Sequence, residues 1–269
     1  MPEITHNKRT MLNLYSRNAG RLANMKRPRF IVNALIRTFS RKYSISLNDY
    51  IIPENGFRSF NEFFTRNLKP GLRVIENGIV SPVDGSIYSY GNIETDTNIF
   101  VKHKKFRVKE LIKSDTNIFK SFIVLYLSPA NYHRVHAPFD MKINEILYIP
   151  GTLKSVRESR VMKAEELYCK NERIILNGDS EFGKFSFVLV GALMVGKIKL
   201  CFTDSTQSNI KRSCCSVTSL DNPFIINKGD ELGYFEFGSS VILLLDNQTF
   251  TNINFEINES IKLGQRLNT

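Results

Sequence analysis

From about residue 74 onward the sequence is a succession of short apolar runs punctuated by Gly, Pro, Asn and Asp, a texture that admits few folds other than antiparallel sheet. The runs cover 78–85, 122–127, 143–149, 185–190, 195–202, 232–237 and 241–245, each of strand length. Long helical patterns stop before the first of them, so the strand–helix alternation that builds a parallel sheet is missing. Hairpin or Greek-key connections are expected.

The segment before residue 74 differs. It carries 14 Lys or Arg against 4 Asp or Glu, and so holds +10 of the chain's formal +11. Leu12, Tyr15, Ala19 and Leu22 form one stripe at helical spacing, and Phe30, Ile31, Ala34, Leu35, Thr38 and Phe39 form a second, with Arg37, Arg41 and Lys42 around it. Three uses fit such a segment: lying on anionic lipid, at about 1 kcal/mol per well-placed cation, binding nucleic acid, or packing on its own domain. No nucleic-acid motif supports the second. The expected fold class is therefore α+β, with a basic helical region over 1–73 and a mainly antiparallel, β-sandwich-like domain over 74–269. At 269 residues and 42% apolar content the chain has enough material for a substantial core.

The longest uncharged apolar run, 187–195, is far short of the ~20 residues that cross a bilayer, so no spanning helix is predicted. The first residues have no apolar stretch behind their charges and do not read as a secretory signal. Cys169, Cys201, Cys214 and Cys215 form no C-x-x-C pair and have no His at zinc-ligand spacing, so reduced thiols and no metal are expected in a cytoplasmic setting.

Taken singly, the residues that could carry chemistry have ordinary explanations. Asp84 before Gly85 suits a turn, and so does Gly238-Ser239-Ser240. His133 and His136 lie three apart at a strand-to-loop junction beside Pro138, a better placed pair for proton transfer. A serine hydroxyl needs a base to become a nucleophile, and a His oriented by an Asp is the usual arrangement. Asp84, one of the histidines and Ser239 could supply it. The Gly-x-Ser-x-Gly elbow of an α/β-hydrolase is absent. Instead Ser239 follows a glycine and leads into Val-Ile-Leu-Leu-Leu, a poor place to receive an outside acyl group. It is a good place to attack the carbonyl of its own predecessor, where glycine removes crowding.

Ser81-Pro-Val-Asp-Gly85, Leu127-Ser-Pro-Ala-Asn-Tyr-His-Arg-Val-His136 and Phe237-Gly-Ser-Ser240 together resemble the signatures of the pyruvoyl-dependent phosphatidylserine decarboxylases. The similarity continues through Phe60-Asn-Glu-Phe-Phe-Thr-Arg66, Leu68-Lys-Pro-Gly71, Asn171-Glu-Arg173, Val190-Gly-Ala192, Val195-Gly196 and Lys228-Gly-Asp-Glu-Leu-Gly-Tyr-Phe235, and spans roughly 57–245. The resemblance implies helices that dock on a membrane before a strand-rich catalytic domain, which moves the basic N-terminus toward lipid. It implies that Asp84 orients His136, that His136 is the base, and that Ser239 attacks the Gly238 carbonyl. The ester so formed eliminates to dehydroalanine, which hydrolyses to a covalent pyruvoyl cofactor, leaving chains 1–238 and 239–269 associated. It implies a Schiff base between that pyruvoyl group and the amine of phosphatidylserine, with His133 moving the proton of decarboxylation and phosphatidylethanolamine as product. A peripheral position on an anionic membrane at the cytoplasmic face follows, a homodimer is compatible with it, and nucleic acid is not a partner.

The sequence departs from the family at Phe-Gly-Ser-Ser, where Leu-Gly-Ser-Thr is usual, and at Met194-Val-Gly-Lys197, where Lys197 brings a charge of no assigned role. Ser240 is a conceivable second nucleophile, although it lacks the preceding glycine. Two rivals differ in class. A biotinyl or lipoyl carrier would share the Lys228-Gly-Asp-Glu-Leu-Gly hairpin but needs an exposed lysine in a Met-Lys-Met or Asp-Lys context, which is absent. A serine hydrolase would use the same three residues on an external ester and keep its chain whole.

Overall fold

The computed structural model describes residues 18–93, 98–101, 104–115, 118–156, 161, 166–192, 197–203, 215–236, 239–251 and 253–268. Leu12, Tyr15, Met194–Gly196, Cys214, Phe237 and the expected cleavage residue Gly238 lie outside the described residues.

In chain order the first half contains α1 (Arg29–Lys42), α2 (Phe60–Phe64), β1 (Gly85–Asn92), β2 (Asn98–Val101), β3 (Lys104–Arg107), α3 (Val108–Ile112), β4 (Ser121–Leu127), β5 (Arg134–His136) and β6 (Met141–Ile149). The second half contains α4 (Leu167–Lys170), β7 (Arg173–Ser180), β8 (Gly183–Gly191), β9 (Ile198–Leu200), β10 (Ser216–Ile226), β11 (Glu231–Phe235), β12 (Ser239–Leu245) and β13 (Ser260–Ile261). The large sheet runs β10-β6-β7-β8-β12-β4-β1-β13, a smaller one β5-β11-β9, and β2 pairs with β3. Every one of these pairings is antiparallel, as the absence of strand–helix alternation required.

All seven residues of β12 are buried, and the strand pairs without a bulge to β4 on one side and β8 on the other. It is the middle of the sheet and the middle of the core. The 78–85 run, expected as a strand, is instead a bent connection: only Val80 makes an isolated bridge, to Arg266, and strand β1 starts at Gly85. Pro82 removes a ladder donor. Gly85 allows close approach of β1 and β4, because a Cβ there would come within 2.6 Å of the Tyr126 carbonyl oxygen.

Helix α2 begins with a local capping arrangement. Ser59 Oγ accepts from the Glu62 N–H at 3.1 Å, and the Glu62 carboxylate reaches back to the Arg58 N–H. Its fixed start directs Phe60, Phe63 and Phe64 into the same core as the strands. Helix α1 ends on Arg41 and Lys42, suited to its negative C-terminal end. Its apolar residues split between two faces. Val32 is buried and Ile36 and Phe39 pack on the core, whereas Phe30 and Leu35 are 74% and 45% exposed.

Arg173, at the head of β7, is fully buried and donates to four carbonyls: Leu111 O at 2.6 Å, Cys169 O at 2.7 Å, Glu110 O at 2.8 Å and Asn171 O at 2.9 Å. It thereby serves the carbonyl ends of both α3 and α4, where a cation is favoured. Arg173→Met is expected to destabilise the fold by about 3–5 kcal/mol, since each buried acceptor left unmet costs about 1–3 kcal/mol and relief of guanidinium desolvation offsets only part of that. The urea midpoint of an uncleavable Ser239→Ala background chain measures this; an unchanged midpoint would refute the role.

Candidate active site

Ser239 is fully buried at the first position of β12, opposite Leu127 at the end of β4 and Gly191 at the end of β8. Its hydroxyl has no hydrogen-bond partner among the described residues. Side chains alternate along a regular strand, so Ser240 directs its hydroxyl to the opposite face. Ser240 therefore does not compete for the position of Ser239 Oγ. Asn171 fixes the neighbouring strand end: its Nδ2 donates to Gly191 O at 2.9 Å and to Lys154 O at 2.8 Å.

The histidine segment follows directly from β4. Asn131 Oδ1 accepts from the Ser128 N–H at 2.8 Å and closes the turn that delivers His133 and β5. On the other side β11 pairs with β5, and the Phe235 N–H donates to His133 O at 3.0 Å, four residues before Ser239. The end of β11 thus reaches His133 directly, and the start of β12 pairs with the end of β4, from which the histidine segment leaves.

His133 is fully buried, with its ring against Phe64 at a centroid distance of 4.1 Å. Its Nδ1 lies 2.8 Å from Asn131 O. A carbonyl only accepts, so Nδ1 carries the proton and donates. Nε2 is then a bare nitrogen, buried and without a partner among the described residues. Burial, followed by the charge of Arg66, pushes the His133 pKa down to about 3, and the ring is neutral at physiological pH.

His136 is held at both nitrogens. Nδ1 donates to Gly229 O at 2.8 Å, and Nε2 accepts from the Tyr132 hydroxyl at 3.1 Å. Gly229 has φ +87°, a left-handed conformation that glycine adopts without strain, and that turn aims its carbonyl at the ring. Burial lowers the His136 pKa and raises that of Tyr132, so the phenol keeps its proton.

Asp84 is 2% exposed, yet the expected hydrogen bond to His136 is not present. Arg73 holds the carboxylate in a fork, Nε to Oδ1 at 3.0 Å and Nη2 to Oδ2 at 2.6 Å. The Leu263 N–H adds a third bond to Oδ1 at 2.8 Å. These donors occupy the acceptor sites of Asp84, and the Gly229 carbonyl takes the place of an acid at His136 Nδ1. The connection that remains is through the backbone and through space: the His136 N–H donates to Pro82 O at 2.9 Å, and the Asp84 charge favours a protonated His136 ring. Ser239, likewise, has no hydrogen bond to either histidine in this arrangement.

Arg66, Arg73, Tyr132 and Gly229 therefore belong to the site, although the sequence assigns none of them a role. Tyr132 adjoins His133 in the chain, whereas Arg66, Arg73 and Gly229, the last of them 93 residues from His136, are brought in by tertiary pairing.

Residues 60–269 match the family model described as phosphatidylserine decarboxylase. Proteins named phosphatidylserine decarboxylase proenzyme are similar along most of their length. One from Psychrobacter arcticus is 36% identical over 94% of this chain and 92% of its own. One from Francisella philomiragia is 37% identical over 92% of this chain and 89% of its own. A third, from Legionella pneumophila, is 35% identical over 85% of this chain and 83% of its own.

Proposed function

The chain belongs to the phosphatidylserine decarboxylase family, and on that premise we propose that it is a proenzyme whose Ser239 cuts the Gly238–Ser239 bond and becomes a pyruvoyl group used to decarboxylate phosphatidylserine. The observation that carries this reading is the Ser239 hydroxyl, fully buried and, among the described residues, unpartnered at the head of the central strand. A buried polar group without a partner is costly, and reactive positions are where such costs are retained.

Self-cleavage balances as follows. The Ser239 oxygen bonds to the Gly238 carbonyl carbon and the peptide C–N bond breaks, giving an ester and a free amine at 239. Loss of the Ser239 Cα proton with rupture of its Cβ–O bond frees Gly238 as a carboxylate and leaves dehydroalanine. Water then replaces the nitrogen, ammonia departs, and a ketone remains. His136 is the base in this scheme, and the Tyr132 hydroxyl has to rotate off Nε2 first. Asp84, as a nearby buried charge, favours the imidazolium that results.

The residues present fit such a group, since Ser239 Oγ and His133 Nε2 are both buried and both without a partner among the described residues, and Ser239 pairs with Leu127 at the end of the strand from which the His133 segment leaves. The ketone supplies an electron sink for the pair left behind by CO2. His133 Nε2 moves a proton to the carbon that loses it. After the cut, β12 remains paired on both edges, β13 stays on β1, and the Leu267 N–H still donates to Ile79 O, so 239–269 has no route out of the fold short of unfolding it. Release of labelled CO2 from carboxyl-labelled phosphatidylserine in detergent micelles, abolished by a carbonyl reagent, tests the reading. A whole chain that reacts with serine-directed phosphonates would favour a hydrolase.

For membrane contact, the exposed Phe30 and Leu35 share α1 with Arg37 and Arg41, a surface that can insert apolar side chains while cations meet anionic headgroups. The position proposed is peripheral, at the cytoplasmic face. Binding to vesicles rich in anionic lipid is expected to weaken about tenfold or more in Arg37→Ser/Arg41→Ser, and further as salt rises, at about 1 kcal/mol per cation. Co-sedimentation unaffected by salt and by both substitutions would remove this surface from the account.

A further inference from the structure

Arg66 is 2% exposed and forms no ion pair among the described residues, which is an unusual state for a guanidinium. It sits just after α2, over the Tyr50 ring at 4.1 Å. Its Nη1 donates to Phe63 O at 3.3 Å. Its Nη2 lies between two carbonyls of the turn that delivers the histidines, 3.0 Å from Ala130 O and 3.4 Å from Asn131 O. The second of these is the carbonyl that accepts from His133 Nδ1. Phe64, two residues before Arg66, forms the floor under the same imidazole ring.

We propose that Arg66 is the positioning residue of His133: by gripping the Ala130 and Asn131 carbonyls it fixes the Nδ1–H tautomer, and its buried charge keeps Nε2 as a bare proton acceptor. Two physical links carry this. The first is geometric, because a carbonyl held from one side by the guanidinium stands still for the imidazole on the other, and the ring orientation follows. The second is electrostatic, because a fixed cation in a dry site opposes the arrival of another. Among the described residues the charge bearing on the ring is that of Arg66, and the remaining influences are burial and the Asn131 carbonyl. Chemically, a neutral Nε2 is what an arriving headgroup ammonium needs in order to shed a proton: its N–H bond breaks, Nε2–H forms, and the imidazolium beside Arg66 gives the proton up readily to carbon. The proposal rests on the decarboxylase reading for the use of His133, but the coupling of the two residues does not.

The test is imidazole nitrogen NMR on the full-length chain carrying Ser239→Ala, which is uncut and single, with His133→Gln to assign the signal. With Arg66 in place, His133 is expected to stay neutral, protonated on Nδ1, from pH 8 to pH 5. In Arg66→Met its titration midpoint should rise by at least one pH unit. Arg66→Lys keeps the charge but loses the planar fork, anchored through Nη1 on Phe63 O and laid over Tyr50, that aims Nη2 between the two carbonyls, so the midpoint should stay low while the two tautomers mix. An unchanged midpoint in Arg66→Met overturns the electrostatic half, and an unchanged tautomer in Arg66→Lys overturns the geometric half. If Arg66→Met does not fold, the lysine variant alone decides. In processed enzyme, the acid limb of decarboxylation should move to higher pH in any Arg66 variant whose His133 midpoint rises. A shifted NMR titration with an unmoved rate profile would uphold the coupling and overturn the use of His133 in turnover.

Discussion

Replacing Ser239 with alanine should leave one uncut chain of 30.9 kDa with no decarboxylase activity, because the nucleophile and the future ketone are the same residue. The loss is expected to be complete. The fold should not suffer. The hydroxyl makes no hydrogen bond, and exchanging an unmet buried polar group for a methyl group is neutral or stabilising by about 1 kcal/mol. An inactive, uncut chain of undiminished stability would therefore separate lost chemistry from lost structure. Ser240→Ala, on the opposite face of β12, should still cut. Cleavage in Ser239→Ala, or failure of Ser240→Ala to cut, would mean that the nucleophile has been assigned to the wrong hydroxyl.

His133→Gln carries the second large effect. The chain should cut, because His136 and not His133 is placed with Asp84 and the Gly229 carbonyl, yet turnover should fall by about 10²–10⁴-fold, the typical contribution of a positioned proton-transfer group. Glutamine preserves volume against Phe64, so the core should tolerate it. His136→Gln should give the reverse pattern, a chain that cuts slowly or not at all. Gel analysis of cleavage together with CO2 release on the same preparations reads both effects. A His133→Gln enzyme with full turnover would end its role, and one that stayed uncut would mean that the two histidines do not divide the work.

The strands that were legible in the sequence are the buried ones. Runs 122–127, 185–190 and 241–245 became β4, β8 and β12, because a strand covered on both faces is written as near-continuous apolar residues, and 143–149, apolar apart from the half-buried Asn144 and Glu145, became β6. Strand β10, Ser216–Ile226, carries no such run. It is a largely exposed edge strand held by pairing to β6, and Pro223 is tolerated where no further strand needs its donor. Strand β5 spans only three residues, and its place depends on pairing with β11 nearly a hundred residues later. The 78–85 run looked like a strand for the opposite reason. Its Ile79, Val80 and Val83 are buried as a strand's would be, but the backbone bends to present Asp84.

The site divides along the same line. Asp84, His133, His136 and Ser239 stand in short motifs whose order and spacing are visible in one dimension. What each of them touches is not. The partners of Asp84 are Arg73, eleven residues upstream, with two bonds, and the Leu263 N–H with a third, and not a histidine. The partner of His136 Nδ1 is a backbone carbonyl, which no side-chain pattern encodes. Sequence picks out the candidate groups, and the fold determines their hydrogen-bond partners.

In mature protein the Gly238–Ser239 bond should not survive, and the intact mass of freshly purified full chain reads this. Two species are expected, with a summed mass that exceeds that of the 269-residue chain by one water less one ammonia. The smaller should hold the 31 residues 239–269, have a blocked N-terminus and shift in mass with a carbonyl reagent. A single 30.9 kDa species that decarboxylates phosphatidylserine would contradict the account.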